Sequence, residues 1–99
     1  MDRYTEPCVL KETSEGMARY TLSDALFQNR EIMLIGEITS ELVNSAILQM
    51  RYLQNLDEQK EITIFINSPG GDVASGLALY DVMQAVKCPM RTVCVGSAF

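Results

Sequence analysis

"ITIFINSPGGDVASG" (residues 62–76) is the stretch whose reading decides the fold. A run of strand-forming residues, Ile62 to Ile66, stops abruptly at Asn67. Ser68, Pro69, Gly70 and Gly71 follow, and then a stretch of helical character. The run is short, unbroken and rich in β-branched side chains, which predicts a strand buried on both faces of a parallel sheet. Strand-to-helix turns in such sheets lie at the carboxyl ends of the strands, where ligand sites collect.

Working outward, Ile32-Met33-Leu34-Ile35, ended by Gly36, is a second apolar run, and Thr92-Val93-Cys94-Val95 is a third. Between them, Thr39 or Ser40 opens the clearest helix. Leu42, Val43, Ala46, Ile47, Met50 and Leu53 recur at three- and four-residue steps. Val73 to Val86 predicts another helix, with Leu77, Tyr80 and Met83 at helical spacing, stopped by Lys87-Cys88-Pro89. Thr21 to Arg30 predicts a short helix, with Thr21 or Ser23 as its cap and Leu22, Leu26 and Phe27 on one side. Strands alternating with helices define an α/β fold, a parallel sheet covered by helices. Residues 1–20, mixed and broken by Pro7 and Gly16, are expected to be a flexible segment with at most a short extended piece at Val9-Leu10. Residues 21–99 form one domain. Nothing follows the third strand to cover the sheet, so the chain is expected to be a fragment of a larger domain.

Composition narrows the function. Thirteen acidic residues against eight basic ones give a net charge of -5, which argues against a nucleic-acid partner. There is no histidine, and Cys8, Cys88 and Cys94 have no metal-ligand spacing, so neither zinc nor a disulfide framework is expected. Free thiols suit a reducing cytoplasm. The N-terminus lacks the basic and apolar regions of a secretory signal. No apolar run approaches the ~18 residues of a membrane span.

Gly70 and Gly71 leave bare backbone N–H groups just before a helix. Such a bend suits a phosphate, a developing oxyanion, or only the close approach of another segment. Phosphate is disfavoured: there is no GxGxxG or GxxxxGK[ST], and Asp72 would repel it. The residues alone leave oxyanion site and close-packed turn both open.

"INSPGGDVASGLALYDVMQ" (residues 66–84) resembles the proteolytic subunit of ATP-dependent Clp proteases, the ClpP family. The likeness extends through "PCVLKETSEGMARYTLSDALFQNREIML", "NSAILQMRYLQNLDEQKEITIFINSPGG" and "TVCVGSA", covering residues 7–99. It implies a crotonase-like fold of repeated ββα units and a serine endopeptidase with a Ser-His-Asp triad. Gly71 is then the backbone donor to the oxyanion, with Gly70, Asp72 and Val73 along the edge that pairs with the substrate. The resemblance puts the nucleophilic serine directly after Phe99 and the histidine and aspartate further on, which implies that residues 21–99 are the N-terminal part of the peptidase domain. Ser97 falls on a variable position, so these residues alone are expected to be inactive. Phe99 stands where the family has a small residue.

Further expectations come with the resemblance. Tyr52, Phe65, Val93 and Val95 match pockets between neighbouring subunits that receive loops of an AAA+ unfoldase of the ClpX, ClpA or ClpC type. Arg51, Thr63 and Ala85 stand where the family has larger apolar groups. No metal or cofactor is expected, since ATP is used by the unfoldase. The substrates are polypeptides, the assembly is a homo-oligomer of stacked heptameric rings, and the location is the cytoplasm. The alternatives are a catalytically silent, ClpR-like structural subunit, or a related peptidase of the signal-peptide or phage head-maturation type. Those peptidases are expected to lack the "GMARY" to "REIML" segment present here.

Overall fold

A computed structural model describes residues 8–95. It opens with an antiparallel hairpin, β1 (Cys8–Thr13) and β2 (Gly16–Thr21), joined through Ser14 and Glu15. Only a short piece at Val9-Leu10 was expected to be extended. The charged residues Glu12 and Arg19 hide the period-two apolar pattern that would announce strands, so pairing across the tight turn defines them.

Helix α1 (Leu22–Gln28) begins where Thr21 accepts the Asp24 N–H on its side-chain oxygen, at 3.1 Å. Asn29 and Arg30 turn the chain into β3 (Glu31–Ile35). Arg30 has a φ of 65°, a conformation that non-glycine residues rarely adopt. Its guanidinium holds it there, donating to the carbonyls of Leu53, Asp57, Lys60 and Glu61 at 2.8–3.2 Å. It also donates to Cys88 Sγ at 3.3 Å.

Helix α2 (Ser40–Leu56), capped by Thr39, buries Val43, Ala46, Met50 and Leu53, the stripe read from the sequence. Strand β4 (Ile62–Asn67), helix α3 (Val73–Ala85) and strand β5 (Met90–Cys94) complete the order. The sheet is parallel, with strand order β3-β4-β5 and register Ile32↔Ile64↔Thr92. A mixed α/β architecture with a three-stranded parallel sheet flanked by helices is therefore present.

Two expectations need correction. The sheet is buried on one face only. Ile32, Leu34, Ile62, Ile64 and Ile66 pack against α2 and α3, while Met33, Phe65 and Val93, in register on the opposite face, are half-buried. The apolar runs are continuous, so hydrophobicity along the strand cannot show which face is covered. In α3, the inward residues are Ser75 and Leu79, with Val82, Met83 and Val86 packed beside the core. Leu77 and Tyr80 point out, each 59% exposed. Apolar side chains occur on nearly every side of this helix, so its periodicity selects no face. Cys88 and Cys94 are free thiols; the Cys8 side chain and Gly96-Ser97-Ala98-Phe99 lie outside the described residues.

Candidate active site

The bend after β4 is held from inside. Ser68, only 2% exposed, closes it by accepting the Gly70 N–H at 3.0 Å and donating its hydroxyl to the Gly70 carbonyl at 3.1 Å. This serine-turn geometry lets a side chain stand in for a missing backbone partner. Pro69 sits on the exposed outside of the loop.

The bend is also held from the side. Past the strand ends, the chain after β3 pairs again with the chain after β4. Gly36 N–H donates to Asn67 O, Ile38 N–H to Gly70 O, and Asp72 N–H to Ile38 O, each at 2.9 Å. Ile35 pairs with Asn67, and the next partners are Ile38 and Gly71. Two residues separate these pairings on the first segment and three on the second. The extra residue is accommodated in the loop that Ser68 closes.

This pairing fixes the direction of Gly71. Successive residues of an extended segment turn their amides to opposite sides. Ile38 takes the Gly70 carbonyl and the Asp72 N–H, so the Gly71 N–H and C=O face the other way. Gly71 is exposed, and neither group has a partner among the described residues. The segment is thus a short strand edge, paired on one side and open on the other.

Close packing is also real at this position. Gly71 has a φ of 152°, and a Cβ built on it would collide with the Ile38 carbonyl oxygen and lie 2.7 Å from the Ile38 nitrogen. Only glycine fits. The two alternatives left open by the sequence are therefore compatible: the missing side chain admits Ile38, and the same geometry turns the amide outward.

Asp72 changes one part of the expectation. It is the N-cap of α3, accepting the Ala74 N–H at 3.3 Å and the Ser75 hydroxyl at 2.6 Å. The positive end of the helix is thus already matched by a carboxylate rather than left for an incoming anion. The Ser75 hydroxyl chiefly holds the Asp72 carboxyl below the usual carboxylate range, partial desolvation opposes it, and the amides of Ala74 and Ser75 add to the lowering. Val73 is the first residue of α3 and so lies past the extended edge, its side chain 74% exposed.

The residues matched to partner docking do not all meet. Phe65 and Val93 are register partners on the open sheet face, and Val95 follows β5, 49% exposed. Tyr52 lies on α2, which packs on the other face, and stacks on Phe27 with ring centroids 5.9 Å apart. It lines a cleft of about 640 Å³ with Tyr20, Asp24, Arg30 and Leu56. The Arg30 guanidinium at this cleft is engaged by the carbonyls of Leu53, Asp57, Lys60 and Glu61 and by Cys88 Sγ, so it is occupied in holding the fold. Residue-by-residue reading missed Ser68, Ser75 and Ile38. Ser68 and Ser75 carried local signals, a serine two residues before the first glycine and one three residues after Asp72. Ile38 carried none.

The chain is thus α/β, with a glycine bend at the carboxyl end of a parallel strand that turns the Gly71 amide outward along a strand edge. Residues 14–99 match the family model described as Clp protease, and the chain belongs to that family. No helix among the described residues is long and apolar enough to cross a membrane, and no group of metal-ligating side chains is found among them.

Proposed function

We propose that this chain contributes the oxyanion-binding and substrate-pairing part of a serine endopeptidase, the proteolytic subunit of an ATP-dependent protease. The observation that carries the reading is the unpaired, outward Gly71 N–H on an open strand edge, in a member of the Clp protease family. In this reading a substrate segment adds to the open edge of Gly70–Asp72. The attacked carbonyl then lies against the Gly71 N–H. A fixed amide at that point stabilises the charge that develops on oxygen, and one such donor is typically worth about 3 kcal/mol. The 99 residues contain no histidine, so in this reading they do not themselves supply the general base of a Ser-His-Asp triad. The serine is expected directly after Phe99.

The substrates are unfolded polypeptides delivered by an AAA+ unfoldase, and the assembled form is a homo-oligomeric ring. The separation of Tyr52 from Phe65 and Val93 within one chain supports docking pockets completed between neighbours, where Tyr52 of one protomer approaches the open face of the next.

The test uses the full-length gene product. A fluorophosphonate probe should label a serine immediately after Phe99, and peptide hydrolysis should stop on labelling. Short peptides should be cut without ATP, and folded proteins only with ATP and an unfoldase. Assembled rings with an unreactive site would instead identify a silent structural subunit.

A further inference from the structure

One side chain on the open edge has no role in the chemistry above. Gly70 and Gly71 have no side chains, so Asp72 alone presents one from the extended part of the bend. Its carboxylate is exposed yet fixed, held by the Ala74 N–H and by the hydroxyl of Ser75, which is itself buried at 8% exposure. Among the described residues no cation neutralises it; the ion pair they form joins Lys87 to Glu58. Glu37, the residue before Ile38 on the paired segment, is exposed and acidic as well.

The ladder fixes how Asp72 meets an added strand. Its N–H turns toward Ile38, so on the open side Asp72 occupies a non-hydrogen-bonded position. Residues facing each other there in an antiparallel pair approach most closely, with Cα atoms about 4.5 Å apart. Opposite charges across such a pair attract, and like charges repel.

We infer that Asp72 selects substrate charge: a polypeptide with lysine or arginine next to the attacked residue is preferred, and one with glutamate or aspartate there is disfavoured. The inference rests on the strand-addition reading under Proposed function. The hydrogen bonds that favour the ionised carboxylate keep this selection in force through the neutral range.

The test compares fluorogenic peptides that differ only in Lys, Gln or Glu at a neighbour of the attacked residue, cut by the full-length assembled protein. The expected kcat/KM ratio of the Lys to the Glu peptide is about 3- to 10-fold at low salt. It should shrink toward unity near ~1 M salt, where the screening length falls to about 3 Å. Asp72→Asn keeps an N-cap of similar quality and removes the charge, so its Lys-to-Glu ratio should fall to about one. An unchanged ratio in D72N overturns the assignment to Asp72 and leaves the peptidase reading standing. Should D72N fail to fold, the wild-type salt series decides, and a preference insensitive to salt overturns the inference. Failure of assembled wild-type protein to cut any peptide overturns the peptidase reading and this inference together.

Discussion

The two strand-to-helix turns of the sheet, Gly36–Thr39 after β3 and Ser68–Asp72 after β4, begin at the same edge and end in the same way. Each delivers a capping side chain: Thr39 accepts the Leu42 N–H at 3.2 Å, and Asp72 accepts the Ala74 N–H. They differ in what the backbone does between. The first turn buries Ile38 at 1% exposure and uses both its N–H and its C=O in hydrogen bonds. The second is one residue longer, is closed by Ser68, and leaves the polar groups of Gly71 facing outward. An open amide in a fixed direction thus depends on a neighbouring turn that is fully satisfied. The first turn serves as the template for the second.

Substituting the glycine of each turn is the strongest way to break this comparison. Gly71→Ala meets the Ile38 backbone in addition to an unfavourable φ, and should cost at least about 3 kcal/mol. Gly36 also has a positive φ, 103°, but open space where a Cβ would stand, so Gly36→Ala should cost only about 1–2 kcal/mol. Denaturant midpoints measure both, and equal losses would refute the asymmetry. Lost peptidase activity in Gly71→Ala therefore would not identify an oxyanion donor, because the alanine disrupts the pairing with Ile38 first.

The serine that closes the longer turn comes next. Ser68→Ala leaves the Gly70 N–H without its partner and should cost about 1–3 kcal/mol. Amide exchange at Gly70 should accelerate more than at Ile38, and the reverse order would place the support elsewhere. In the first turn, which has no such closing serine, removing the cap by Thr39→Ala should cost about 1 kcal/mol, with faster exchange confined to the first turn of α2.

The smallest effect is one of pH. The folded-state pKa of Asp72 is depressed, so its contribution is present above the unfolded carboxylate pKa and is lost as pH falls through the lower, folded value. Acid unfolding should therefore be slightly shallower in Asp72→Asn, which caps α3 without titrating. An identical acid limb in both proteins would show that the Ser75 hydrogen bond does not favour the charged form.

What could be read from the sequence follows from how local each cause is. Helix α2 was legible because Val43, Ala46, Met50 and Leu53 recur at three- and four-residue steps on one buried face, with Glu41, Asn44 and Asn55 among the exposed residues of the helix. The bend was legible because an apolar run broken by Ser-Pro-Gly-Gly has few structural meanings. The buried side of α3 was not, since Leu77 and Leu79 are equally apolar and only the sheet decides between them. The hairpin escaped because Glu12 and Arg19 interrupt the apolar alternation, and pairing across the turn defines its strands. At the site, Gly71 stood out by residue type. The reason it must be glycine did not, because Ile38 meets it only in the folded chain.

The guanidinium of Arg30 has a kinetic consequence. One side chain bonds the last turn of α2 through Leu53 and Asp57, the following loop through Lys60 and Glu61, and the approach to β5 through Cys88. None of these segments can loosen fully while the others hold the same planar group. They should open in one correlated step, so amides near the end of α2 and at the start of β4 should exchange with a common rate and a common temperature dependence. In Arg30→Ala that step should divide, with the end of α2 fraying on its own while β4 stays protected.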